Sequence, residues 1–276
     1  MDDKEIGQMS DTNNTSAVKL LSHPTAAKVP NRKDTLLQMR PLYTADIPMA
    51  GREVLKNLAH ACKECNIQDN DTLFKAGDEA QYWYILVRGR MREHWEIHEA
   101  DDESGSLPPL DCLGLTDCIR GGQYNTTTVA VGLCVVYALD IGRTKELMEE
   151  SPAVNNFVMH LCTESLIRTK LEKFSGLSRY ETQKMVTSGN LHRGQGQHEM
   201  QTFDERIIVL QGTVLSGNSA EGEQVELFTV LENGAYFIIA DATVFELPEL
   251  TEDAEGNLKP LVSQRSSVGE AVMIRR

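Results

Sequence analysis

Residues 129–141 carry an apolar side chain at every second position: Val129, Val131, Leu133, Val135, Tyr137, Leu139 and Ile141, with Ala130, Gly132, Cys134, Val136, Ala138 and Asp140 between them. Alternation of this kind marks a strand, because successive side chains leave a pleated backbone on opposite sides. The pattern predicts a strand over 129–141 that buries its odd-numbered face and bends at Gly132. A second run, Tyr82-Trp83-Tyr84-Ile85-Leu86-Val87, is aromatic and β-branched and stops at Gly89 in the manner of a hairpin or bulge. Beyond it Arg90, Arg92, His94, Glu96 and His98 alternate with Met91, Glu93, Trp95 and Ile97, so a strand here turns most of its charges to one solvated face.

Helical spacing flanks these strands. Val54, Leu55, Leu58 and Ala59 form a lead-in helix after a segment that begins near Leu36. Leu147, Met148, Val154, Phe157, Val158, Leu161, Leu166 and Ile167 repeat the spacing between Thr144 and Phe174, and Ser151-Pro152 marks a helix start with proline in its first turn. Asn70-Asp71 reads as a turn, and the acidic, proline-containing stretch Asp101 to Pro109 as a loop. Residues 1 to about 30 are too polar to offset the entropy of ordering them and read as a flexible tail. Glu246 to Asn257 reads as a further loop.

A chain of 276 residues accommodates two domains of ordinary size. Its 41 acidic and 27 basic residues give a net charge of −14, which repels nucleic acid and anionic membranes unless the basic residues gather in one patch. The N-terminal Met-Asp-Asp-Lys-Glu lacks a basic region and an apolar core, and the apolar runs fall short of a membrane span, so a cytoplasmic protein is expected. The six cysteines read as reduced thiols. Cys62 and Cys65 are expected on one face of a helix, without the further ligands that structural zinc requires. A cupin-like metal site at His94 and His98 would need a His-x-His, a glutamate and a distant third histidine. The chain has no nucleophile–base pattern, no phosphate-binding glycine loop with lysine and no GxSxG, which points to a non-enzymatic protein.

The stretch Leu73-Phe74-Lys75-Ala76-Gly77-Asp78, followed by Tyr82 to Gly89, resembles the opening of a cyclic nucleotide-binding domain of the catabolite-activator type. Pro41-Leu42-Tyr43 before the lead-in helix and Thr128-Val129-Ala130 to Asp140 before the helical exit fit the same family, and the resemblance covers about residues 36 to 172. Phe203 to Val214 and Leu231 to Phe237 resemble the pattern a second time. The resemblance therefore implies a mainly β fold with flanking helices, as tandem jelly-roll barrels joined by a helical segment. Its parts are a tail at 1–33, a first domain at 34–172 and a shortened, degenerate second copy at 173–276. No helix-turn-helix follows, so DNA is not an expected partner.

Function in this family lies in a loop of Gly-Glu, a short helix, then Arg and small residues. The resemblance implies that the glutamate accepts a ribose hydroxyl, while the arginine and helix amides hold the cyclic phosphate. Here the loop reads Leu113-Gly114-Leu115-Thr116-Asp117-Cys118-Ile119-Arg120-Gly121-Gly122-Gln123-Tyr124-Asn125-Thr126-Thr127-Thr128, with Leu115 at the glutamate position and Asn125 at the arginine position. The candidate ligand loop is thus Gly114, Leu115, Thr116, Arg120, Asn125, Thr126 and Thr127, without either of the family's two specific side chains. Arg120 either replaces the missing charge or is a surface residue. In the second copy Ile238 and Ile239 follow Gly234-Ala235-Tyr236-Phe237 where Gly-Glu belongs, and Val268-Gly269-Glu270-Ala271 is a coincidental match. A regulatory or adaptor protein acting on an unidentified protein partner is expected, without cofactor or metal. The alternative is a sensor of a cyclic nucleotide or cyclic dinucleotide held by other residues. The apolar face Val154, Phe157, Val158, Leu161 and Ile167 of helix 152–171 suits a homodimer, as in related bacterial sensors, or packing within the chain.

Overall fold

The alternating run becomes the central strand of the first lobe. The computed structural model describes residues 50–94, 106–107, 111–174, 176–194, 199–216, 222–239, 242–253 and 256–260. In it β6 (Thr127–Asp140) lies between β1 (Lys63–Ile67) and β3 (Tyr82–His94), antiparallel to both. β2 (Thr72–Phe74) adds to β6, while β4 (Ser106–Leu107) and β5 (Cys112–Leu113) add to β3. The tail at 1–33, Pro41-Leu42-Tyr43, His98 and Val268 to Ala271 lie outside the described residues.

The burial of β6 departs from the expected odd-numbered face. Thr128 and Ala130 are buried ahead of the bend, Val131 and Leu133 on its two sides are 39% and 55% exposed, and Cys134 to Leu139 beyond it are all buried. Gly132 has φ 76°, and the register against β3 shifts twice between Leu86 and Arg90. The downstream half is buried on both sides because the helices α1 (Ala50–Ala61) and α3 (Ile141–Glu150) pack there. Trp83, fully buried on β3, donates its indole N–H to Thr144 Oγ1 at 3.0 Å and ties α3 down.

Helix α1 stops at Ala61, and Cys65 belongs to β1, opposite Val136. The expected shared helical face for Cys62 and Cys65 is therefore absent, because the sheet takes up the chain one residue past Cys62. None of the six cysteines is assigned to a disulfide. Within the stretch expected to be a loop, Ser106 and Leu107 pair with Arg92 and Met91 as β4, and the rest of Asp101 to Pro109 lies outside the described residues.

Ser151 caps α4 (Pro152–Thr169) by accepting from Val154 N, with Pro152 in the first turn, as the sequence implies. The apolar face of α4 is used inside the chain. Val154, Val158, Leu161 and Ile167 are buried in a core that also takes Ile208, Leu210, Phe245, Leu247 and Leu258 from the second half of the sequence. The expected boundary at 172–173 falls in a 3-10 turn, Glu172–Phe174, and this core runs across it.

The second lobe opens with α5 (Arg179–Ser188), where Ser178 and Glu181 form a capping box. It continues through β7 (Asn190–Arg193), β8 (Glu199–Phe203), β9 (Ile207–Gln211), β10 (Val214–Ser216) and β11 (Glu223–Gln224). β12 (Val230–Leu231), β13 (Gly234–Ile238), β14 (Thr243–Glu246), β15 (Leu250–Glu252) and β16 (Leu258–Pro260) complete it. The strand orders are β11-β10-β13-β8 and β12-β9-β14-β7, with β15-β16 a separate pair. β15 lies within the stretch Glu246 to Asn257 that the sequence marks as a loop and pairs with β16 just beyond it. Both faces of β9 are buried: Ile208 and Leu210 face the core shared with α4, Ile207 and Val209 a smaller core inside the lobe. The fold is mainly β with flanking helices, and no described helix is long and apolar enough to cross a membrane.

Candidate functional site

Gly114 starts the loop in the left-handed region, with φ 70°. A side chain there would meet Tyr124 at 2.7 Å, and Tyr124 is fixed by stacking on Phe74 with centroids 4.1 Å apart. From this turn springs α2 (Leu115–Arg120), in which Leu115, Thr116, Asp117, Cys118 and Ile119 are all buried. A loop helix is covered to this degree because α4 packs on one side of it and β9 of the second lobe on another.

Between α2, β3, β5 and α4 lies a cavity of about 30 Å³. Its walls include Gly114, Thr116, Asp117 and Thr126 from the loop, Glu93 from β3, Asp111 and Cys112 from β5 and its approach, and Glu164, Arg168 and Lys170 from α4 and its C-terminal end. Asp117 Oδ1 accepts from Lys170 Nζ at 2.6 Å and from Asn125 Nδ2 at 2.8 Å. Asp111 Oδ1 accepts from Arg168 Nη1 at 2.5 Å and lies 3.6 Å from Arg179 Nη2; Glu164 Oε1 lies 3.8 Å from Arg179 Nε. Asp111 Oδ2 is buried without a hydrogen-bond partner among the described residues.

Four carboxylates therefore meet three cations. Burial pushes the Glu93 carboxyl up to about 7; Lys170 opposes the rise, and Asp117 and Asp111 add to it. Burial also raises Glu164, against the pull of Arg179. An entering anion would meet cations that already have partners and carboxylates that repel it.

Of the seven loop residues, Gly114, Thr116 and Thr126 line this cavity. Leu115 does not: it is fully buried in the core and presents no apolar wall to a ligand. Asn125, at the arginine position, turns its amide onto Asp117, and Thr127 Oγ1 accepts from Ala76 N at 3.0 Å. Arg120 is exposed at the far end of α2, away from the cavity walls. Sequence reasoning passes over Arg168, Lys170 and Glu93. The two cations lie more than 50 residues from the carboxylates they hold, beyond the reach of any local pattern. Asp117 stands within the loop sequence, but nothing local marks it as a partner for either cation.

Residues 64–151 match the family "cyclic nucleotide-binding domain", so Arg168 and Lys170 lie outside the matched span. No curated protein matches the chain. Among solved structures, the regulatory domain of Toxoplasma gondii PKA with cAMP aligns over 80% of this chain and 90% of its own, at 16% identity and TM-score 0.41. The regulatory subunit of a cAMP-independent protein kinase A from Trypanosoma cruzi, bound to guanosine, aligns over 81% and 85%, at 14% identity and TM-score 0.41. A cyclic nucleotide-binding domain from Methylobacillus flagellatus aligns over 46% and 71%, at 14% identity and TM-score 0.42.

Proposed function

From the match of residues 64–151 to the cyclic nucleotide-binding domain family, we propose that this chain is a non-enzymatic regulatory or adaptor protein that takes no cyclic mononucleotide and acts through a protein partner. The observation that carries the proposal is the pair Asp117–Lys170, closed at 2.6 Å with the lysine 18% and the aspartate 3% exposed. A phosphate seated there must draw Lys170 off Asp117. Removing one member of a buried pair costs about 3–5 kcal/mol, equivalent to roughly a hundred- to several-thousand-fold in affinity. Asn125 adds to the deficit: a bidentate arginine contact is worth about 3–6 kcal/mol at about 1.5–3 per charged hydrogen bond, and its amide is already engaged.

The reading takes residues 173–276 as a shortened second copy and the setting as cytoplasmic, the latter supported by six cysteines of which none is assigned to a disulfide. It leaves out duplex DNA, on a net charge of −14. A homodimer through helix 152–171 would compete with the second lobe for Val154, Val158, Leu161 and Ile167. The partner is therefore taken to dock elsewhere.

Calorimetry tests the proposal. Wild type is expected to show no heat with cAMP, cGMP or a cyclic dinucleotide up to about 100 μM, in keeping with a penalty of several kcal/mol. Micromolar binding by wild type overturns it, and abolition of that binding in Arg120→Ala would show that Arg120 supplies the charge. Leu115→Glu is unsuitable as a gain-of-binding variant, because it would place a carboxylate in the core. Asn125→Arg with Asp117→Asn is the informative one, because it removes the carboxylate that holds both Lys170 and the residue at 125.

A further inference from the structure

On either side of the bend at Gly132, β6 turns large apolar side chains outward. Val131 and Leu133 are two of four large hydrophobic side chains exposed among the described residues. Beside them runs β3, with Arg92 directly across from Val129 and Arg90 across from Val131. Directly opposed residues of antiparallel strands point to the same face. The intervening Met91 and Ala130 point inward and are buried. Arg88 and Arg90 are exposed and Arg92 is half-buried, and none of the three has an ion pair among the described residues. Asp69, on the turn that adjoins β6, accepts with Oδ1 from Gly132 N at 2.6 Å. A cationic and apolar stripe thus stands on a chain whose net charge is −14.

We propose that this face docks an extended acidic segment of a partner protein, with carboxylates on Arg88, Arg90 and Arg92 and apolar side chains on Val129, Val131 and Leu133. The spacing carries the argument. Alternate residues of a strand are roughly 6.6 Å apart, so Arg90 and Arg92, on the regularly paired part of β3, meet carboxylates two positions apart in an extended peptide, and Arg88 stands next to them beyond the register shift. The charge is complementary only locally. A short peptide senses charges within a Debye length, about 8 Å at physiological salt, whereas a long nucleic acid or a membrane also meets the repulsion of the whole acidic chain. Three cations are also fewer than the basic clusters that hold proteins to anionic lipid, and Val131 and Leu133 have no counterpart on a phosphate backbone. This surface gives the proposed adaptor role a place to act, yet it stands on its own observations. Calorimetry with cyclic nucleotides does not probe it, so the two readings fail separately.

The test uses the full chain and a labelled, end-blocked peptide of three Glu-Val-Glu-Leu repeats, followed by fluorescence anisotropy. Saturable binding is expected, with at least about a tenfold weaker affinity for Arg90→Glu with Arg92→Glu, a smaller decrease for Val131→Ser with Leu133→Ser, and weakening as salt rises. A Lys-Val-Lys-Leu peptide should not bind. Melting temperatures check the fold of each variant, and Arg90→Gln with Arg92→Gln replaces the charge reversal if that one is unstable. No binding at about 1 mM peptide, a weak association on the scale of protein contacts, overturns the proposal. So does equal binding by the arginine variants, or preferential binding of a DNA duplex or phosphatidylserine vesicles through the same arginines.

Discussion

At the scale of single residues, the cations beside the candidate loop are held by carboxylates of the chain itself. Lys170 and Arg168 sit where they neutralise Asp117 and Asp111, so their effect on stability should far exceed that of surface cations. Lys170→Met is expected to cost about 3–5 kcal/mol, since it strands a buried carboxylate. Arg143→Ala should leave the urea midpoint unchanged, because its pairs with Glu146 and Glu150 are exposed. A double variant, Lys170→Met with Asp117→Asn, should recover much of the deficit. Glu93 gives a pH signature. Its carboxyl titrates near 7 in the fold and near 4.5 when unfolded, so the native state binds the extra proton between those values. The stability it contributes is complete below about 4.5 and disappears as pH rises through 7. Glu93→Gln should therefore be more stable than wild type at pH 8 by up to about 3 kcal/mol, with the difference shrinking toward pH 5. An unchanged difference across that range would show that Glu93 is not buried as a neutral acid.

At the scale of elements, the outer face of the first lobe is set by two glycines. Gly132 turns β6, and Gly89 lets β3 cross it closely: a Cβ at 89 would lie 2.6 Å from Cys134 Sγ and 2.8 Å from Leu133 O, on a backbone at φ 97°. Gly89→Ala is expected to destabilise by about 1–3 kcal/mol, through strain at a left-handed position plus the clash. Its clearest readout is weaker amide protection along Arg88 to Met91, ahead of the rest of β3. Gly77→Ala should cost less, since a Cβ at that position meets nothing within 4 Å although φ is 85°. If the two substitutions prove equal, close approach of the strands is not what Gly89 provides.

At the scale of the whole molecule, one core joins the lobes. α4 lies between them, and Phe245 of β14 is fully buried in the same cluster as Val154 and Leu161. Both tryptophans, Trp83 and Trp95, belong to the first half of the sequence, so their fluorescence reports unfolding there. Phe245→Ala is expected to shift the fluorescence-detected urea transition by about 3–5 kcal/mol, together with the far-ultraviolet signal. A shift confined to the circular dichroism would mean that the lobes unfold independently. Sedimentation should give a monomer, since the helix face that could pair two chains is already covered.

The positions of the main strands and helices, and of the ligand loop, are already written in the order of the amino acids. Period-two alternation, the Ser151-Pro152 start and the Gly114 turn are local signals, and local sterics and capping act over a few residues. Period alone does not say which face of a strand is covered, and for this reason the alternation places Val131 and Leu133 in a core although they stand in solvent. Nor does composition pair charges. Asp117 and Lys170 are 53 residues apart and meet only because α4 folds back over the loop. Asn125 at the position where the resemblance implies an arginine is legible in the sequence; that Lys170 reaches Asp117 follows from the packing of one helix, since a buried carboxylate requires a partner and long-range packing selects which one.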